Sequence, residues 1–128
     1  MKATILILCM ITFCFCEVAS AEIPEKLAIR ALIGEASGEG YRGLLAIAGA
    51  LRNRGTLRGV YGVNAAHVDR EPQWVWDMAR KAWKESLSHD ITGSATHWEN
   101  VQAFGEPYWA SSMIKTIKIG NHQFYKER

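Results

Sequence analysis

The sequence has 128 residues, with 15 Lys and Arg against 13 Asp and Glu and a formal net charge of +2. A charge this mild gives no reason to expect nucleic-acid binding. A chain of this length has room for one domain of ordinary size and little more.

The first 21 residues have the three-part layout of a secretory signal. Lys2 is followed by an apolar run to Cys16, and Ala19 and Ala21 are the small residues of a cleavage site. The apolar run is too short for a helix that spans a bilayer. We predict cleavage after Ala21 and export to the periplasm or beyond the cell. A lipid-anchored alternative rests only on Cys14 and Cys16.

Cleavage of this signal would leave residues 22–128 as a single domain without cysteine, because Cys9, Cys14 and Cys16 all lie in the signal. The signal holds one cation and one anion, so the net charge stays at +2. Because the exported protein would contain no cysteine, it cannot have a disulfide scaffold, a cysteine nucleophile or a cysteine-ligated metal site. We expect a monomer that is not inserted in the membrane after cleavage.

The first predicted element is a helix over Pro24–Ala36, with the proline in its first turn. Ala28, Ala31, Leu32 and Glu35 are spaced i, i+3, i+4 and i+7, so they share one face. Glu35 is therefore expected at the edge of the core, just before the Ser-Gly-Glu-Gly sequence that begins at residue 37.

A second helix is predicted over Tyr41–Arg54, ended by Gly55, with small residues that would let another helix approach closely. Residues 56–71 have no sustained period and several glycines, which indicates a long loop able to flank a cleft. Pro72 begins a third helix. The buried face predicted for it consists of Trp76, Ala79, Trp83 and Leu87.

Short segments follow Asp90. We predict strands at residues 95–98, 116–119 and 122–125, a turn at residues 105–107, and a tight turn at Gly120-Asn121. The fold class is therefore α+β, with N-terminal helices followed by a short antiparallel sheet or hairpin.

Glu35 is the best-placed carboxyl group for acid–base chemistry. Cleavage of a glycosidic bond needs a carboxylic acid that can donate a proton to the leaving oxygen. The spacing links Glu35 to the apolar face, whereas Glu39, Glu71, Glu99 and Glu106 lie in polar or turn-rich surroundings.

Two other classes of function stay open on the residues alone. His97 and His122, on neighbouring strands, could bind zinc with Glu99 or Glu35, as in a peptidoglycan amidase. Alternatively, the five tryptophans could make a non-catalytic protein that binds glycans or inhibits a lysozyme. A serine nucleophile is disfavoured, because the sequence has no Gly-x-Ser-x-Gly.

Three ordered blocks resemble the cell wall hydrolase family that includes the spore-cortex-lytic enzymes (SleB/CwlJ-like). The first block runs from Ala31 to Gly40 and continues over residues 43–54, the second is Ala-Thr-His-Trp-Glu-Asn at residues 95–100, and the third is Ile-Gly-Asn-His-Gln-Phe-Tyr at residues 119–125. Residues 56–94 match no block, and Val101 stands where a proline is common in the family.

The resemblance implies a lysozyme-like lytic transglycosylase that cuts peptidoglycan between N-acetylmuramic acid and N-acetylglucosamine. It implies one acid–base glutamate, Glu35, with no metal or cofactor. Substrate contacts are expected within the matched blocks, although alternation along a strand would place either Phe124 or Tyr125 in the core. The expected substrate-binding residues are Glu39, His97, Trp98, Asn100, Asn121, His122, Phe124 and Tyr125. A hydrolytic muramidase is the nearest alternative.

Overall fold

The computed structural model describes residues 22–128, so the predicted signal lies outside the described residues. Helix α1 spans Glu25–Ala36, a 3₁₀ turn covers Ser37–Glu39, and α2 spans Gly40–Arg54. Pro24 is the N-cap of α1, so the helix begins one residue later than predicted. Within this part of the chain no helix is long and apolar enough to cross a bilayer.

Helix α2 lies at the centre of the molecule. Every residue from Gly43 to Leu51 is buried, and the helix ends at Gly55, whose φ of 73° is the left-handed conformation that glycine adopts readily. The small side chains along α2 allow α1 and α3 to pack closely against it, as predicted.

Helix α3 spans Gln73–Glu85, and its buried face differs from the predicted one. The residues that face the core are Val75, Ala79, Ala82 and Trp83. Trp76 is only partly buried, and the prediction for Leu87 is wrong, since Leu87 is 69% exposed. The reason is that α3 ends at Glu85, two residues before Leu87, so the helical period does not extend to Leu87.

The sheet has three antiparallel strands in the order β1-β3-β2, which confirms the α+β class. Strand β1 spans His97–Asn100, β2 spans Ile114–Ile119 and β3 spans His122–Lys126. Gly120 has a φ of 57° in the predicted tight turn between β2 and β3. Between β1 and β2, where only a turn was predicted, the chain forms helix α4 (Val101–Phe104) and a 3₁₀ turn (Tyr108–Ser112).

Asp90 fixes the segment that leads into β1. Its carboxylate accepts hydrogen bonds from the Thr92 N–H at 2.8 Å, the Thr92 hydroxyl at 2.6 Å and the Ser94 N–H at 3.1 Å. Asn53 of α2 donates to Asp90 at 3.0 Å and to the carbonyl of Ala95 at 2.9 Å. This polar clamp therefore ties the start of the sheet to the end of α2.

Candidate active site

Glu35 lies in the last turn of α1. Ala28, Ala31 and Leu32, which share its predicted face, are fully buried, while Glu35 itself is half-buried. The helix spacing thus places one carboxyl group where the core meets an open cavity.

Two donors hold the Glu35 carboxyl group. The N–H of Gly62 donates to Oε1 at 2.8 Å, and the indole Nε1–H of Trp98 donates to Oε2 at 3.2 Å. A carboxylate has about four lone-pair positions, so each oxygen keeps acceptor capacity after these two bonds. The carboxyl group is oriented by the protein and remains able to contact a ligand.

The Gly62 donor reaches Glu35 because two glycines meet there. A Cβ on Gly34 would lie 1.9 Å from the carbonyl oxygen of Gly62, and a Cβ on Gly62 would lie 2.8 Å from Cγ, N and Oε1 of Glu35. Neither position can carry a side chain without moving the backbone. The 3₁₀ turn Tyr61–Asn64 is therefore packed directly on the end of α1.

A cavity of about 220 Å³ opens in front of Glu35. Its aromatic walls are Tyr61, which is 85% exposed, together with Trp98 and Trp109. The His97 ring lies 5.5 Å from the Trp109 ring, centre to centre. Arg54, Gly59 and Glu99 complete the lining. Flat aromatic surfaces beside a carboxyl group suit a sugar ring whose bond is to be protonated.

A larger cavity, of about 740 Å³, lies beside the N-terminal end of α1. It is bounded by Ile23 and Trp83, and the Arg52 guanidinium lies 3.6 Å from the centre of the Trp83 ring. We place the site at the smaller cavity, because there a carboxyl group oriented by two donors lies beside Tyr61, Trp98 and Trp109.

The structure brings two of the predicted substrate-binding residues, His97 and Trp98, to the Glu35 cavity. Burial lowers the pKa of His97, and the positive charge of nearby Arg54 lowers it further. The Asn100 side chain accepts a hydrogen bond from the Ala103 N–H at 3.0 Å and so caps α4. The roles of these residues in substrate binding stay predictions.

Three other predicted contacts are corrected by their burial. Phe124 and Tyr125 are 1% and 0% exposed, so neither can stack on a glycan. The physical reason is that β3 is the central strand: Phe124 packs in the helical core, while Tyr125 meets Trp109 edge-on at 5.0 Å. His122 is buried as well. Burial also raises the pKa of Tyr125.

Glu39 and Asn121, also expected to bind substrate, form an internal latch with His122. Glu39 Oε2 lies 2.5 Å from His122 Nδ1, and Oε1 accepts the Asn121 N–H at 2.5 Å. The Glu39 side chain is only 12% exposed. The second glutamate of the first block thus joins the α1–α2 junction to the β2–β3 hairpin, and both of its oxygens are already engaged.

The zinc site suggested by the histidines is not assembled. In the sheet His97 pairs with Tyr125 and His122 pairs with Asn100, so the two histidines lie at opposite ends of the paired strands. Within residues 22–128 no group of three or more His, Cys, Asp or Glu side chains is placed to hold a metal ion.

Sequence reasoning missed Gly62, Tyr61, Arg54 and Trp109 as site residues. Gly62 and Tyr61 lie in the segment that was expected to flank a cleft, and its repeated glycines were the available signal for a close backbone approach. Nothing in the sequence distinguishes Trp109 from a tryptophan of the core.

Comparison with solved structures supplies a match for this arrangement. The catalytic domain of the Bacillus cereus SleB protein aligns with a TM-score of 0.59 and 27% identity, covering 80% of this chain and 88% of that domain. The chain is similar to SleB. The catalytic domain of the germination-specific lytic transglycosylase SleB from Bacillus anthracis aligns with a TM-score of 0.57 and 26% identity, covering 83% of this chain and 98% of that one.

The similarity to SleB confirms the resemblance that the three sequence blocks predicted, and it extends over most of the described chain. No family model matches the sequence, and no curated protein does.

Proposed function

We propose that this protein is a lytic transglycosylase that cuts peptidoglycan between N-acetylmuramic acid and N-acetylglucosamine. The main support for the proposal is the position of Glu35, whose carboxyl group accepts two hydrogen bonds and lines a cavity with aromatic walls. The similarity to SleB catalytic domains supports the same reaction. The predicted signal would deliver the enzyme to the compartment that contains peptidoglycan.

In this mechanism Glu35 acts first as an acid and then as a base. It gives its proton to the glycosidic oxygen, the bond from that oxygen to C1 of muramic acid breaks, and N-acetylglucosamine leaves as an alcohol. The C6 hydroxyl oxygen of the same muramic acid then bonds to C1, and its proton returns to the Glu35 carboxylate. The product is a 1,6-anhydro ring, and no water is consumed.

This route needs a single carboxyl group, and three other carboxylates of the helices and the loop after α2 are engaged in contacts of their own. Glu39 is bound in the latch, Asp69 pairs with Arg30 at 2.6 Å, and Glu71 accepts the Ser37 hydroxyl at 3.1 Å. A hydrolase of the usual type needs a second carboxylate beside the first. Each of these three has a structural partner instead.

The position of Glu99 favours the alternative function, a hydrolytic muramidase. It lines the same cavity as Glu35, although its Oε1 accepts the N–H of Asn100 at 3.0 Å. If Glu99 activated water, the enzyme would release muramic acid with a free reducing end. The identity of the product therefore separates the two mechanisms.

The test is mass spectrometry of peptidoglycan digested by wild type, Glu35→Gln and Glu99→Gln. We expect anhydromuropeptides from wild type and from Glu99→Gln, and a loss of at least ~100-fold in Glu35→Gln, because an amide cannot donate and recover the proton. Circular dichroism checks that both variants are folded. Reducing-end products that disappear in Glu99→Gln would establish the muramidase.

Peptidoglycan binding without release of any soluble fragment would instead indicate a glycan-binding protein. Activity that is removed by a chelator and restored by zinc would indicate an amidase.

A further inference from the structure

A second hollow continues from the Glu35 cavity. It has a volume of about 550 Å³ and shares Arg54, Gly59 and His97 with that cavity. Arg58 and Glu127 lie on its outer side. We call it the arginine hollow. Because three residues border both spaces, a ligand bound at Glu35 can extend into the arginine hollow without leaving the surface.

The arginine hollow carries positive charge that the protein does not neutralise by ion pairing. Among the ion pairs within residues 22–128, none includes Arg54 or Arg58. Arg54 instead donates to two backbone carbonyl oxygens, those of Arg58 at 2.5 Å and Thr96 at 3.4 Å. Its Nε–H is buried and meets no acceptor in the described part of the chain.

The remaining titratable groups of the hollow leave a net positive charge. His97 has a lowered pKa and is neutral near neutral pH, and Glu127 offsets one of the two arginines. A guanidinium is always charged, and its strongest partners are carboxylates and phosphates. The hollow is therefore suited to an anionic group attached to the ligand in the cavity.

We propose that the arginine hollow binds a carboxylate of the peptide stem carried by muramic acid. This inference rests on the proposed function, because it places muramic acid at Glu35. Each stem is attached through the lactyl group of that sugar and carries free carboxylates along its length. A strand seated at Glu35 presents its stem beside the sugar, and the arginine hollow adjoins the Glu35 cavity with two arginines that form no ion pair within residues 22–128. The enzyme then prefers strands with charged stems.

The experiment compares two preparations of the same peptidoglycan, one native and one with its stem carboxylates converted to amides by carbodiimide and ammonia. For wild type we expect kcat/KM to fall roughly three- to tenfold on the amidated strands, the size of an exposed charge pair or slightly more. On native strands, Arg58→Gln should lower kcat/KM by the same factor that amidation does for wild type. On amidated strands, the variant and wild type should have the same kcat/KM. Arg58 is chosen because its side chain is exposed and makes no hydrogen bond within residues 22–128.

Arg42→Gln is the matched control, since Arg42 is an exposed arginine of α2 that lines neither space. It should leave the preference of wild type for native strands unchanged. Equal activity of wild type on both preparations would overturn the inference and leave the proposed function intact. A fall in kcat/KM on native strands in Arg42→Gln equal to that in Arg58→Gln would also overturn the inference, because the effect would then arise from the net charge of the protein. If wild type cleaves neither preparation, the proposed function fails.

Discussion

Trp98 combines two roles in one side chain. Its ring forms a wall of the cavity, while its Nε1–H donates to Glu35 Oε2 at 3.2 Å. The Arg54 guanidinium lies 5.9 Å from the centre of the same ring and is close enough for a cation–π contact. The orientation of the Glu35 carboxyl group therefore depends on the side chain that, in the proposed function, also contacts the sugar.

Replacing Trp98 with Phe separates these roles. Phenylalanine keeps an aromatic face but has no donor, so the Glu35 carboxyl group loses one of its two fixed contacts. A hydrogen bond to an ionisable group contributes about 1.5–3 kcal/mol. We expect kcat for anhydromuropeptide release to fall roughly ten- to a hundredfold, with a smaller change in KM.

Trp109→Phe is the control for this prediction, because Trp109 lines the same cavity and makes no hydrogen bond to Glu35. It should affect KM more than kcat. If the two variants show the same kinetic pattern, the indole N–H of Trp98 does not contribute to catalysis.

At the scale of single residues, the sequence predicted the position of Glu35 better than its surroundings. Glu35 follows from the spacing of Ala28, Ala31 and Leu32, since a helix places these residues on one face regardless of context. Phe124 and Tyr125 could not be assigned by alternation. That rule assumes one exposed face, whereas β3 is covered on both sides by the core and by Trp109.

At the scale of elements, the site depends on the contact between the end of α1 and the 3₁₀ turn Tyr61–Asn64. The sequence predicted α1 and indicated that the following loop would flank a cleft. The contact itself is a meeting of two backbones at Gly34 and Gly62. Such a contact carries no periodic signal, which is why the position of the Gly62 donor could not be predicted.

Gly62→Ala tests this contact. The added methyl would lie 2.8 Å from Glu35 Cγ and Oε1, so the turn must move away and withdraw its N–H. Overpacking of this kind costs about 1–3 kcal/mol. We expect a lower midpoint of thermal unfolding and a loss of anhydromuropeptide release of roughly tenfold or more among the folded molecules.

The matched change is Gly38→Ala, in the α1–α2 junction, where an added Cβ would meet nothing within 4 Å. It should leave both thermal unfolding and activity near those of wild type. Wild-type activity in a folded Gly62→Ala variant would mean that the Gly62 N–H is dispensable.

At the scale of the whole molecule, the latch and the Asp90 clamp are polar connections between the helices and the sheet. The latch of Glu39 with His122 holds the β2–β3 hairpin, and the Asp90 clamp holds the segment before β1. The sequence predicted the helices from their apolar periods and the strands from short segments bounded by turn signals. It did not predict the connections, because they join residues distant in the chain through polar side chains that have no period. Trp98 reaches Glu35 only while β1 is correctly placed, so the clamp contributes to the site from outside it.

The Asp90 clamp gives the protein a defined dependence on pH. Burial raises the pKa of Asp90, but hydrogen bonds from Thr92, Asn53 and Ser94 outweigh it and leave the pKa below the ordinary value of 3.8. A carboxylate whose pKa is lowered by folding stabilises the folded state above its unfolded pKa and loses that contribution as pH falls through its folded pKa. Asp90→Asn should therefore lower the free energy of unfolding near neutral pH by about 1 kcal/mol, since the amide nitrogen cannot accept the hydrogen bonds that Asn53 and the Ser94 N–H donate to the second carboxylate oxygen. Urea unfolding of wild type and variant at neutral pH and at a pH well below 3.8 measures this difference, which should shrink on acidification. A difference of the same size at both pH values would show that Asp90 acts through its shape and not through its charge.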